Sequence, residues 1–191
     1  MANRDPAPGR LELVQRFVNT HDFEDGSEVF ATPQALREWL ADHDLLDRAE
    51  PVSASDLSRA VEVREALRSL CLANNGEPLD PTAIETLNSA SRVAPMLVRF
   101  GEDGESRLAP AGGGVPAALA SILSAVAESM SDGTWDRLKA CPASDCLWAF
   151  YDHSRNRSGH WCTMSVCGNR AKARSYRDRH RHGEQSHGEH A

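Results

Sequence analysis

Two short cysteine pairs set the tightest limit on what this chain can fold into. Four residues separate Cys141 from Cys146, four separate Cys162 from Cys167, and the second pair opens the run Cys167-Gly168-Asn169-Arg170. Zinc takes four soft or imidazole ligands in a tetrahedron, and two loops each closed by a cysteine pair can supply them. Fifteen residues lie between Cys146 and Cys162, enough for a hairpin. A segment of about 45 residues cannot bury enough apolar surface to fold unaided, and metal binding supplies the missing free energy. The spacing points to one structural Zn2+ held by Cys141, Cys146, Cys162 and Cys167. His153 and His160 are alternative ligands by type, but four thiolates already close the site, and catalytic zinc needs an open position. The fifth cysteine, Cys71, stands alone in an apolar stretch and reads as a small buried hydrophobe.

Charge divides along the same line. Residues 1–134 carry 11 Lys/Arg and 22 Asp/Glu, a net of −11; residues 135–181 carry 10 and 4, a net of +6; residues 182–191 add two Glu, which sums to the chain's −7. A basic segment on an acidic body is expected to meet a polyanion. If residues 168–181 are helical, Arg170, Arg174, Arg177 and Arg181 fall within an arc of about 60°, with Ala171, Ala173 and Tyr176 off that stripe and available to pack on the module. Two readings fit such a stripe: a face for phosphates, or a salt-bridging face docked on the acidic body. Asp152–His160 reads as a polar loop at the tip of a hairpin, with Arg155 and Arg157 in reach of phosphates or base edges. Trp161 reads as a packing residue.

The remainder of the chain alternates helices with short extended stretches. Leu11, Leu13, Val14, Phe17 and Val18 give a first helix, and Phe23–Gly26 an acidic loop. Thr32-Pro33 starts a second helix with Leu36, Trp39 and Leu40 inside. Ser53 and Asp56 form a capping box ahead of a long helix burying Leu57, Val61, Leu67, Leu70 and Cys71, stopped by Asn74-Asn75-Gly76. Asp80-Pro81 starts another, with Ile84 and Leu87 inside. Met96–Phe100 and Ser106–Ala109 read as a hairpin. Ala111–Gly114 lacks the Gly-Lys-Ser/Thr ending of a phosphate loop and reads as a connector. Pro116 begins a helix burying Leu119, Ile122, Leu123, Val126 and Met130. Composition changes at Thr134, where the domain boundary is placed; residues 182–191 read as a disordered, His-rich tail. No run of about 18 apolar residues and no apolar export signal is seen, so the expected setting is the cytoplasm, without a membrane. In that compartment paired cysteines favour metal over disulfides.

These residues carry a family resemblance. Cys141–Arg181 resembles the CGNR zinc finger through the Cys141/Cys146 pair, Phe150-Tyr151-Asp152, Ser154-Arg155-Asn156-Arg157, Trp161-Cys162 and Cys167-Gly168-Asn169-Arg170-Ala171-Lys172-Ala173-Arg174. The upstream region resembles the ABATE domain through Phe17-Val18-Asn19-Thr20 and the Thr32-Pro33…Leu36…Trp39-Leu40 helix. The resemblance implies a bacterial, stress-related transcriptional regulator. It divides the chain into an ABATE-like α/β domain (1–134) and a finger (135–181), and carries the zinc ligands to the four paired cysteines. The expected fold class is α+β: a mostly helical domain with a small hairpin, followed by a hairpin and basic helix on zinc. Duplex DNA is the expected partner, gripped through Arg155, Arg157, Asn169, Arg170, Lys172, Arg174, Arg177 and Arg181, with the body sensing a small ligand or forming a homodimer. RNA binding and a ligand-binding body with the finger as an appendage are the alternatives, and a redox switch through zinc release is a further one. No nucleophile–base or nucleotide-loop pattern appears, so an enzyme is not expected.

Overall fold

The computed structural model describes residues 5–174, 176 and 177. The first helix, α1 (Leu11–Val18), turns Leu11, Val14, Phe17 and Val18 inward. The acidic loop Phe23–Gly26 joins two very short antiparallel strands, β1 (His21–Asp22) and β2 (Ser27–Glu28). α2 (Pro33–Asp42) opens on Thr32, whose Oγ1 accepts from the Ala35 amide at 3.1 Å. α3 (Ala54–Ala73) opens on a reciprocal box in which Ser53 Oγ accepts from the Asp56 amide and Asp56 Oδ2 from the Ser53 amide. α4 (Pro81–Val93) opens on Asp80, which accepts from the Thr82 amide at 2.9 Å. Each cap takes up a helix N–H that has no partner inside its own helix.

β3 (Met96–Phe100) and β4 (Ser106–Pro110) form a hairpin with Val98 opposite Leu108. α5 (Gly114–Asp132) then runs through the core and stops on Gly133, whose φ of +76° suits glycine. By length and composition α5 would suffice to cross a membrane, with a mean hydropathy of 1.3, but 56% of that stretch is buried within the fold. It is the central helix of the body: Leu119, Ile122 and Ala125 meet Val63, Leu67 and Cys71 of α3 in one apolar cluster. Met130, expected inside, is 50% exposed near the end of α5. Ile84, Leu87, Leu57 and Val61 are only half-buried, and Ala83 and Ala90 take the enclosed positions of α4.

Two charged residues of α3 are buried where periodicity gives no hint of them. Arg64 is 2% exposed and holds both carboxylate oxygens of Glu28, at 2.6 and 2.8 Å, with Glu65 at 2.7 Å. Arg68 donates to Val18 O at 2.8 Å and to Leu147 O at 3.0 Å. A buried guanidinium is tolerated when its donors are met in this way.

After a 3₁₀ turn at Trp135–Arg137, β5 (Leu138–Ala140) pairs antiparallel with β6 (Ala149–Tyr151). This hairpin brackets the first cysteine pair. The Asp152–His160 loop follows β6 and is not the hairpin's tip, because Cys141-Pro142-Ala143-Ser144-Asp145-Cys146 forms the turn. Alternation along β6 splits it between two cores: Ala149 and Tyr151 join the body's cluster, while Phe150, with Trp148 just ahead of the strand, packs on the cysteines.

Side-chain amides of the body complete this seam. Asn19 pairs with Ala149 like a strand neighbour, Oδ1 accepting from its N–H and Nδ2 donating to its carbonyl, both at 2.8 Å. Asn74 Nδ2 donates to Trp135 O and Leu138 O, and Asn75 Nδ2 to Ala140 O and His160 O. The residues expected to stop α3 thus also fasten the finger.

Candidate metal centre and nucleic-acid interface

The first cysteine pair sits on a tight turn. The Cys141 amide donates to Trp148 O at 3.0 Å, and the Cys146 amide to Ala143 O at 2.9 Å. The second pair sits on a π-helical turn, Met164–Gly168, closed by the Gly168 amide on Thr163 O. The two turns bring the sulfurs together. All four cysteines are buried, and their Sγ atoms lie within 4.8 Å of one another, with Cys146–Cys162 at 3.5 Å and Cys162–Cys167 at 3.6 Å. Zinc bound to four thiolates at about 2.3 Å places sulfurs roughly 3.8 Å apart. A disulfide would need about 2.05 Å, so the cluster has the dimensions of a metal site.

The chemistry of the donors agrees. Hydrogen bonds from Cys146 and Cys162 draw Cys141 down to about 2, and contact with Cys141 in turn pushes Cys146 up. Cys162 rises to about 12 through contact with Cys141, and Cys167 to about 12 through burial. The thiols hold one another back from shared ionisation; a central dication is what lets all four carry charge. His160 turns its Nδ1 to Asn75 Oδ1 at 3.0 Å, and His153 packs edge-on against Tyr151, so both histidines are engaged away from the cluster.

A buried ion pair supports the loop beyond β6. Lys139 spends its three donors on Asp152 Oδ2 at 2.8 Å, Arg157 O at 2.7 Å and Gly159 O at 2.9 Å. Asp152 also accepts from the Ser154 and Gly159 amides. Burial pushes the Asp152 carboxyl up, but Lys139 and the Ser154 and Gly159 groups outweigh it and bring it down to about 2. A Cβ on Gly159 would sit 2.8 Å from Asp152 Cγ, so only glycine lets the chain pass so close. Asp152 read in the sequence only as the start of a polar loop, and the 13 residues between it and Lys139 hide the pairing.

Each residue of the Cys167-Gly168-Asn169-Arg170 run has a visible task. Cys167 is a ligand. A Cβ on Gly168 would collide with Met164 Sδ and press on Trp161. Asn169 Nδ2 donates to Ser165 O at 3.0 Å, tying the π turn to the helix that follows. Arg170 bridges Asp145 of the first turn, at 3.1 Å, and Glu24 of the β1–β2 loop. That helix covers residues 169–174, 176 and 177. Lys172, Arg174 and Arg177 are exposed on it, and Arg155 and Arg157 on the loop after β6. Arg157 lies 3.9 Å from Asp136. Ala173 and Tyr176, expected to pack on the module, are exposed as well, and Ala171 alone of the three is half-buried. Arg181 and the His-rich tail lie outside the described residues.

The ABATE family, described as "Putative stress-induced transcription regulator", matches residues 11–133, well over half of the chain. The chain belongs to the ABATE family. The CGNR zinc finger matches residues 137–180, so this family member carries the finger directly after its body, and the four cysteines form its zinc-binding site. No curated protein matches the chain. Neither family description names an enzyme.

Proposed function

We propose that this ABATE protein is a bacterial, cytoplasmic transcriptional regulator whose finger grips duplex DNA. The observation that carries the reading is a division among the finger's cations. Lys139 is buried in a structural pair and Arg170 is held between Glu24 and Asp145. Arg155, Arg157, Lys172, Arg174 and Arg177 remain exposed on a frame held rigid by zinc. Phosphate contacts from such residues give salt-dependent, sequence-tolerant affinity, and arginines at base edges add discrimination. Asn169 and Arg170 serve by holding the helix start, and Arg181 extends the same stripe in sequence. The aromatics Trp148, Phe150 and Trp161 pack on the thiols, which favours a duplex over single-stranded RNA, whose readers expose stacking platforms.

A single small zinc module contacts few base pairs. Useful specificity calls for a homodimer, and the exposed apolar side chains of β3 and β4, with Phe100 75% exposed, offer it a surface. The test is fluorescence anisotropy on a labelled duplex at low and moderate salt, with RNA as competitor. Zinc-dependent binding that weakens steeply with salt and resists RNA supports the reading. Absence of binding at low salt, or full displacement by RNA at equal concentration, overturns it.

A further inference from the structure

A cleft of about 420 Å³ lies where the body meets the finger. Trp39 of α2 lines it from the body, and Trp148, just ahead of β6, lines it from the finger. The two indoles are steadied by different clusters. Trp39 lies 5.6 Å from the rings of Phe17 and Phe30 and stacks on His43 at 3.9 Å. Trp148 packs against the cysteines. Rigid aromatic walls of this kind accept flat rings at little cost in side-chain entropy.

The polar side of the cleft comes from α1. Gln15 and Asn19 line it, and both are already committed to Ala149. Glu12 Oε1 accepts from Nε and Nη2 of Arg16, at 2.9 and 2.6 Å, which leaves Nη1 for an acceptor on a ligand. Guanidinium suits a carboxylate geometrically.

We infer that the cleft binds a small planar aromatic carboxylate, its ring against Trp39 and Trp148 and its acid group on Arg16. The site deepens the reading of the ABATE body as a sensor and rests on it, but places sensing at the seam. An occupant touches Trp148, which packs on the zinc cluster, and lies beside the two amides that hold Ala149. Ligand binding thereby bears on the finger's position without a separate relay.

The test is isothermal titration calorimetry on the full zinc-loaded chain with indole-3-carboxylate, compared with indole and with cyclohexanecarboxylate. The expected result is one site per chain for indole-3-carboxylate, with both comparison compounds weaker by about tenfold or more. Trp148→Leu and Arg16→Gln should each weaken indole-3-carboxylate by about tenfold, and Arg16→Gln should erase its advantage over indole. Arg16 is 62% exposed, so its variant keeps the fold even if Trp148→Leu disturbs the finger. No heat with indole-3-carboxylate at millimolar concentration overturns the inference, as does binding that Arg16→Gln leaves unchanged. DNA binding by the unliganded chain is measured separately, so failure of one reading is distinguishable from failure of the other.

Discussion

In the body the enclosed groups are mostly hydrocarbon: Phe17, Leu67, Leu119 and Ile122 have at most 1% of their surface exposed. In the finger, apart from Leu138, Ala140 and Ala149, which join the body's cluster, they are four thiols, Ala143, Phe150 and the Lys139–Asp152 pair. A long chain with several amphipathic helices can exclude water from its own core. A short one cannot, and substitutes coordinate bonds and a fully satisfied ion pair. β6 gives one face to each core, so the finger's hairpin is folded partly by the body's apolar cluster.

The largest expected effect separates the two regions outright. Zinc removal by a chelator, or Cys167→Ser, forfeits coordination worth about 10–16 kcal/mol in isolated finger peptides. Metal content should fall from one zinc per chain to near none. Near-ultraviolet dichroism from Trp148 and Trp161 should collapse while most far-ultraviolet helix signal stays. Loss of both signals together would show that the body depends on the metal. Next in size, Asp152→Ala leaves Lys139 buried and unpaired, at a cost of about 3–5 kcal/mol, and should accelerate zinc loss. Leu67→Ala should cost about 2–5 kcal/mol yet leave zinc affinity unchanged. Denaturant melts with a zinc indicator read both variants at once.

The seam is the intermediate case. Asn19→Ala strands the N–H of Ala149 and leaves its C=O only the longer bond from Gln15, an expected loss of about 1–3 kcal/mol. Amide exchange at Ala149 should quicken while exchange in the middle of α5 does not change. The smallest effect is an acid titration. Protons compete with zinc for the thiolates, so the finger should release its metal first. Burial raises the Glu28 carboxyl, but Arg64 outweighs it and holds it below its ordinary value. Its stabilisation is therefore present above about pH 4.3 and lost as the pH falls through the folded value. Zinc release should precede loss of helix signal, and Glu28→Gln should lessen the acid-dependent destabilisation of the body without abolishing it, because Glu65 and Asp56 are also held below their ordinary values.

Features set by neighbours in sequence were legible from sequence alone. The caps at Thr32, Ser53 and Asp80 and the paired cysteines act across a few residues, so spacing reveals them. Contacts between distant residues were not. Arg64 and Arg68 look like solvated charges until Glu28, Val18 and Leu147 are seen around them. Asn19 marks the family but gives no sign of its partner 130 residues away. Arg170 fits a phosphate-facing stripe equally well until Glu24 is seen beside it. The exposure of Ala173 and Tyr176 was not legible, because helical counting gives a residue's direction but not how much of it stays in water.

The proposed role of the zinc is to hold a cationic surface in place for duplex DNA. Selection of bound sequences from a random duplex pool, run in parallel with wild type and Cys167→Ser, tests it most directly. The account predicts a shared sequence enriched by the wild type and lost with Cys167→Ser. No enrichment by the zinc-loaded wild type, or equal enrichment by both proteins, would contradict it.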